Sequence, residues 1–139
     1  MNLFLDSSVL VAASGSATGA SRQLFDRSLN NGWVLVAIPY VAEEVQRNLR
    51  KFPPKAALEW SKLRNLLVIK KDVLTIPNPV VFKSAKDRPV LLSALAHADV
   101  LLTLDRADFS GVLGSQFYGM DIMTPGDFIR RERERGRLR

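Results

Sequence analysis

Four carboxylates stand where acids are informative: Asp6, Glu44, Asp87 and Asp105. Asp6 closes the apolar run Leu3-Phe4-Leu5, and Asp105 closes the run Val100-Leu101-Leu102-Thr103-Leu104. Asp87 directly precedes Arg88-Pro89-Val90, where a helix is expected to open. Glu44 falls in the helical repeat Val41, Val45, Leu49, Phe52, nearer its apolar stripe than Glu43. Brought together, four acids raise one another's pKa values, and the cluster is costly unless protonated or bridged by a cation. A hard divalent ion with oxygen ligands relieves that repulsion. Such an ion activates water and stabilises charge on a phosphoryl oxygen, so a phosphodiester is the natural substrate. One ion or two would suit four acids equally well.

Each acid also has a plainer reading. Asp87 and Asp105 suit helix N-caps, Asp105 with Asp108 at capping-box spacing. Glu44 suits a solvated helix face, and Asp99 suits a local role at a helix-to-strand turn. Asp6 is less easily ornamental, because it follows a core strand directly. The hydroxyls of Ser7 and Ser8 either orient Asp6 or hold the turn, and Thr103 is placed to bond to loops at the same rim. His97 suits a helix surface, while Trp33 and Trp60 suit packing.

The elements that must position these groups follow from the pattern of apolar residues and breakers. Residues 2–5 form a short buried strand followed by a polar loop, and the small residues 12–19 form a loop. A helix spans 20–30 and ends at Gly32; a strand or buried connector spans 33–38. Pro39 opens the next helix, and Pro53-Pro54 breaks it. A helix over 55–65, a strand over 66–69, a helix from Asp87 to about Ala98 and a strand over 100–104 follow. Residues 105–109 make a helical turn, 119–123 the last strand, and Pro125 opens the terminal helix. Strands separated by helices imply an α/β fold, a three-layer α/β/α domain around a central, mainly parallel sheet. Ligands of such sheets bind beyond the carboxyl ends of the strands. Asp6 and Asp105 therefore share one rim.

Composition narrows the chemistry. The 139 residues suit one domain. The absence of cysteine excludes disulfide scaffolds, thiolate metal sites and cysteine nucleophiles, and a single histidine excludes His-rich metal centres. No apolar stretch is long enough to span a bilayer. The opening Met-Asn-Leu-Phe-Leu-Asp lacks a basic segment and is expected to be a core strand, not a signal peptide. A cytoplasmic location is expected. The net charge of +6 is uneven, since residues 130–139 alone carry six arginines and two glutamates. Residues 1–129 are expected to form one domain, with 130–139 a basic tail continuing its last helix. Arg22, Lys86, Arg88, Arg106 and the terminal arginines are candidate phosphate contacts.

The sequence resembles the PIN-domain ribonucleases, which include the toxins of VapBC toxin–antitoxin pairs. Leu3-Phe4-Leu5-Asp6-Ser7-Ser8-Val9-Leu10 is similar to that family's first strand and first acid, with Ser8 at its polar position. Pro39-Tyr40-Val41-Ala42-Glu43-Glu44-Val45 resembles the helix bearing the second acid, and its phase selects Glu44. Asp87-Arg88-Pro89-Val90-Leu91-Leu92-Ser93-Ala94 resembles the third-acid segment. Ala98-Asp99-Val100-Leu101-Leu102-Thr103-Leu104-Asp105 resembles the most distinctive segment, with Asp105 at the fourth acid; Asp108-Phe109 continues it. Ile122-Met123-Thr124-Pro125-Gly126-Asp127-Phe128 resembles the closing strand and helix.

The resemblance implies an endoribonuclease dependent on Mg²⁺ or Mn²⁺. Asp6, Asp87 and Asp105 would hold the metal, and Glu44 would position a water. It further implies an RNA substrate, a homodimer, a cognate antitoxin and no membrane. A noncatalytic PIN-like RNA-binding or partner-binding protein is the main alternative, and a phosphatase or DNA nuclease on the same rim a second. No Gly-x-x-x-x-Gly-Lys segment supports a P-loop NTPase.

Overall fold

Leu3, Phe4 and Leu5 are all completely buried, which only a central strand covered on both faces allows. They belong to β1 (Asn2–Leu5). In this computed structural model, which describes residues 1–73, 88–107, 109 and 113–139, β1 is flanked by β2 (Val34–Ala37) and β4 (Val100–Leu102). Both neighbours run parallel to it, and Phe4 stands opposite Val36 on one side and Leu101 on the other. β3 (Val68–Ile69) extends the sheet in parallel beyond β2, and β6 (Met120–Met123) extends it in parallel beyond β4. β5 (Gln116–Phe117) is the only antiparallel strand among the described residues. The order is β3-β2-β1-β4-β6-β5.

Six helices are described: α1 (Ser7–Gly15), α2 (Ala20–Asn31), α3 (Pro39–Leu49), α4 (Pro54–Arg64), α5 (Arg88–His97) and α6 (Pro125–Glu134). They flank the sheet and give the three-layer α/β/α, PIN-like architecture expected from the alternation of strands and helices. Gly32 ends α2 in the left-handed region, at φ 65°. Pro39 and Pro125 both sit in first helical turns, where a missing N–H costs nothing. Among the described residues no helix is long and apolar enough to cross a membrane.

Four local expectations change. The polar loop expected after Leu5 is helix α1, and the small-residue loop shrinks to the stretch after Gly15. α1 packs against α2, α3 and α4, and its small residues permit that close approach. Ser14, buried in α1, returns its hydroxyl to the Leu10 carbonyl at 2.8 Å instead of breaking the helix. β3 has two residues where four were expected, and β5 has no apolar run to announce it. β5 and β6 are joined by Tyr118 (φ 50°) and Gly119 (φ 84°), a two-residue turn whose positive φ values match the sheet twist. Phe52, expected on the buried stripe of α3, lies beyond the end of that helix and is 44% exposed.

The chain leaves α6 at Glu134, and Gly136 turns it at φ 68°. Arg139 then meets α2: its backbone N–H donates to Asn31 Oδ1 at 2.8 Å, and its carbonyl accepts from Asn31 Nδ2 and Arg27. Nothing lies within 4 Å of a Cβ added at Gly32, so Gly32→Ala should cost only backbone strain. About 1 kcal/mol of stability is the expected loss in urea denaturation.

Candidate active site

The direction of the chain reverses across β1. From β1 it moves to β2 on one side, and β4 occupies the other, so a crevice opens where β1 and β4 end. Asp6 follows β1 and Thr103-Leu104-Asp105 follows β4 at that same edge. α3 starts at this edge too, directly after β2, and carries Glu44 in its second turn. The three acids line one cleft of about 380 Å³, together with Ser7, Ser8, Val11, Asn48, Lys51 and Phe52. Glu43 is exposed and does not line it.

Asp6 is the N-cap residue of α1, yet its side chain caps nothing. Its carbonyl accepts from Val9 and Leu10, which leaves the carboxylate for other work. Oδ2 accepts from Thr103 Oγ1 at 2.8 Å and from Ser8 Oγ at 3.0 Å. Each hydroxyl in turn accepts a backbone N–H. Leu104 donates to Ser8 Oγ at 3.0 Å, and Asp105 donates to Thr103 Oγ1 at 3.1 Å. One carboxylate thus organises the segment that presents the next. Burial raises the pKa of Asp6 from 3.8, and nearby Glu44 adds to that; the Thr103, Ser8 and Ser7 hydrogen bonds oppose it without cancelling it.

Asp87, the remaining expected acid, lies outside the described residues, as do Lys86 and Asp108. Arg88, immediately after Asp87, opens α5. Among the described residues, no three His, Cys, Asp or Glu side chains are gathered closely enough to hold a metal ion. The chemistry of the donors nevertheless fits one. The cleft offers carboxylate oxygens without sulfur or imidazole, the set preferred by Mg²⁺ and Mn²⁺. Asp6 is also a buried carboxylate whose charge lacks an ion pair among the described residues.

The basic candidates fare differently. Arg22 donates to Glu59 Oε2 at 2.9 Å and to the Ala13 carbonyl, so its charge is already matched. Arg88 and Arg106 are exposed. The last residues pack beside Asn31, which precedes β2, and so lie at the edge of the sheet opposite the cleft. Arg130, Arg131 and Arg137 pair with Asp127, Asp121 and Glu132. Asp99 lies at that opposite edge as well, where its Oδ2 accepts the Asn2 N–H at 2.7 Å. His97 meets the Lys71 carbonyl at the end of α5. Trp33 packs edge-on against Phe128, and Trp60 is buried. Sequence reasoning missed Asn48 and Lys51. Asn48 stands four residues after Glu44, the helical spacing that would have placed it on the same face, whereas Lys51 lies past the end of α3 and has no such signal.

The sequence matches no protein-family model and no curated protein. Solved structures do share the fold. A chain of VapBC2 from Rickettsia felis, bound to a DNA fragment from their promoter, superposes with a TM-score of 0.61 at 13% identity, over 88% of this chain and 97% of that one. VapC20 of Mycobacterium tuberculosis, a toxin that cleaves the sarcin–ricin loop, superposes with a TM-score of 0.50 at 14% identity, over 78% of this chain and 93% of that one. At such identities the likeness extends to the fold of the VapC toxins and no further.

Two outcomes test the network. Thr103→Val strips both the Asp6 carboxylate and the Asp105 N–H of a partner and should cost roughly 1–3 kcal/mol in urea denaturation, whereas Thr103→Ser should keep most of it. Asp6→Asn should raise the melting temperature at pH 7 without divalent ions. The folded state binds more protons than the unfolded one between pH 3.8 and the raised pKa, so stability falls as pH rises through that window. The advantage of asparagine should therefore vanish below pH 3.8, where the carboxyl is protonated in both states.

Proposed function

We propose that this chain is a divalent-metal-dependent endoribonuclease of the PIN type, acting as the toxin of a toxin–antitoxin pair. The observation that carries the reading is the placement of Asp6 at the β1/β4 crevice, buried, with Glu44 and Asp105 lining the same cleft. The shared fold with VapBC2 and VapC20 supports it, because VapC20 is a toxin that cleaves the sarcin–ricin loop.

Asp6 and Asp105, with Asp87, would hold Mg²⁺ or Mn²⁺. When bound, such an ion lowers the pKa of water and neutralises charge on a phosphoryl oxygen. The chain's own groups do the rest. Ser8 and Thr103 fix the rotamer of Asp6 and tie it to the backbone bearing Asp105. Glu44 orients the attacking water through a carboxylate oxygen and takes its proton. Lys51 lines the cleft and faces the negative charge of the strand. Residues 1–129 make the nuclease domain in this reading and 130–139 its basic tail. The working assembly is a homodimer held inactive by an antitoxin in the cytoplasm.

The purified protein, freed of partners, should cleave labelled RNA in Mg²⁺ or Mn²⁺ and stop in chelator. Asp6→Asn, Asp87→Asn and Asp105→Asn should each lower the rate at least about a hundredfold, with folding verified by circular dichroism. Full activity in both Asp6→Asn and Asp105→Asn would sink the metal-site model. Tight RNA binding without cleavage by the wild type would favour the noncatalytic alternative.

A further inference from the structure

The residues that leave α3 form a second feature of the cleft. After Leu49 the chain makes two tight turns, with the Lys51 N–H donating to the Asn48 carbonyl at 3.2 Å and the Phe52 N–H to the Leu49 carbonyl at 3.0 Å. Pro53 and Pro54 follow at once and restrict the backbone further. Phe52 is therefore held on a stiff corner, 44% exposed, with no aromatic partner among the described residues. Lys51, exposed beside it, makes no ion pair among the described residues, although it lines a cleft with three carboxylates. An accessible ring beside an exposed ammonium presents a π face and a positive charge together, which suits a ligand carrying both an aromatic base and a negative charge.

Phe52 also joins two depressions. It lines the acidic cleft on one side and, on the other, a hollow of about 300 Å³ walled by the end of α1, Lys55 and Glu59. In that hollow Glu59 is neutralised by Arg22 at 2.9 Å and Lys62 at 3.5 Å, while Lys55 makes no ion pair among the described residues. A strand crossing the acidic cleft can thus leave it past Lys51, over Phe52 and toward Lys55 without meeting an unpaired acid on that wall.

We propose that Lys51 and Phe52 form a nucleotide subsite next to the cleft. Phe52 stacks the base flanking the reacting phosphate, and Lys51 holds the phosphate of that nucleotide. Asn48, one turn after Glu44 on α3 and lining the same cleft as Lys51, offers its amide to the nucleotide's edge. The proposal rests on the ribonuclease reading and deepens it by giving the substrate as a single-stranded segment with an unstacked base. Stacking on an aromatic side chain tolerates every base, so the subsite contributes affinity and register more than sequence preference. The stiff corner adds to this, because little ordering remains to be done on binding.

The test is fluorescence anisotropy with a labelled single-stranded RNA of about ten nucleotides, in Ca²⁺, with strand integrity checked on gels. Phe52→Ala and Phe52→Leu should each weaken binding roughly tenfold. Phe52→Trp should retain it, and the introduced indole should be quenched on RNA addition, whereas Trp33 and Trp60 are buried and should stay silent. Lys51→Met should flatten the dependence of log affinity on log salt by about 0.7, the value of one phosphate contact on a single strand. Wild-type affinity in both Phe52→Ala and Phe52→Leu, with an unchanged salt slope in Lys51→Met, would overturn the subsite while metal-dependent cleavage by the wild type still stood. Loss in Phe52→Ala with full retention in Phe52→Leu would show mere packing and overturn it as well. Absence of both binding and cleavage by the wild type would remove the ribonuclease reading and the subsite together.

Discussion

A carboxylate buried at the end of an apolar strand is the constraint on which the rest of the cleft depends. Asp6 is almost inaccessible, and burial opposes its charge. Two hydroxyls answer that cost, one from α1 and one from the chain after β4. Both are used twice, since each also accepts a backbone N–H from the Leu104–Asp105 segment. Buried polar networks contribute to a unique arrangement only when every member is satisfied, and here each hydroxyl has both a donor and an acceptor. The position of Asp105 is consequently tied to the rotamer of Asp6. The parallel pairing of β1 with β4 brings the two strand ends level, Leu5 opposite Leu102, so that the network can close.

Charge is arranged by edge. The carboxyl ends of the central strands carry Asp6, Glu44 and Asp105, while the terminal arginines fold back toward the start of β2. Three of those arginines are paired with acids of α6 and β6. For Asp121, burial alone would raise the pKa, but Arg131 and Gln116 outweigh it and hold the carboxyl below the usual range. The basic surplus therefore gathers at the far end of the domain, and among the described residues that line the cleft the cation is Lys51.

The alternation of strands and helices was legible because it is written in local patterns. Leu3-Phe4-Leu5 and Val100-Leu101-Leu102 are unbroken apolar runs, as strands covered on both faces must be. Gly32, Pro39, Pro53 and Pro125 punctuate helices for reasons confined to their own backbones. Helix α1 was illegible because Ser7-Ser8 and the Gly-, Ser- and Thr-rich stretch 14–19 bracket it with loop-forming residues, which hide the good helix formers Leu10, Ala12 and Ala13 between them. Packing against three other helices then holds the segment. Phe52 misled for the opposite reason. Its spacing continues the stripe of α3, but the turn at Arg50 and the two prolines end the helix before that spacing can act.

The sequence by itself determined which acids stand at the ends of strands, and hence that Asp6 and Asp105 share an edge of a parallel sheet. It also determined that any metal site must rest mainly on oxygen ligands, because cysteine is absent and histidine occurs once. Only the tertiary structure decided that the Thr103 hydroxyl joins the two acids, that the basic tail lies at the far edge, and that Lys51 and Phe52 wall the cleft. The physical reason is range. Strand and helix propensities act over a few residues, whereas a hydrogen bond between residues 6 and 103 exists only once the strands that carry them are paired.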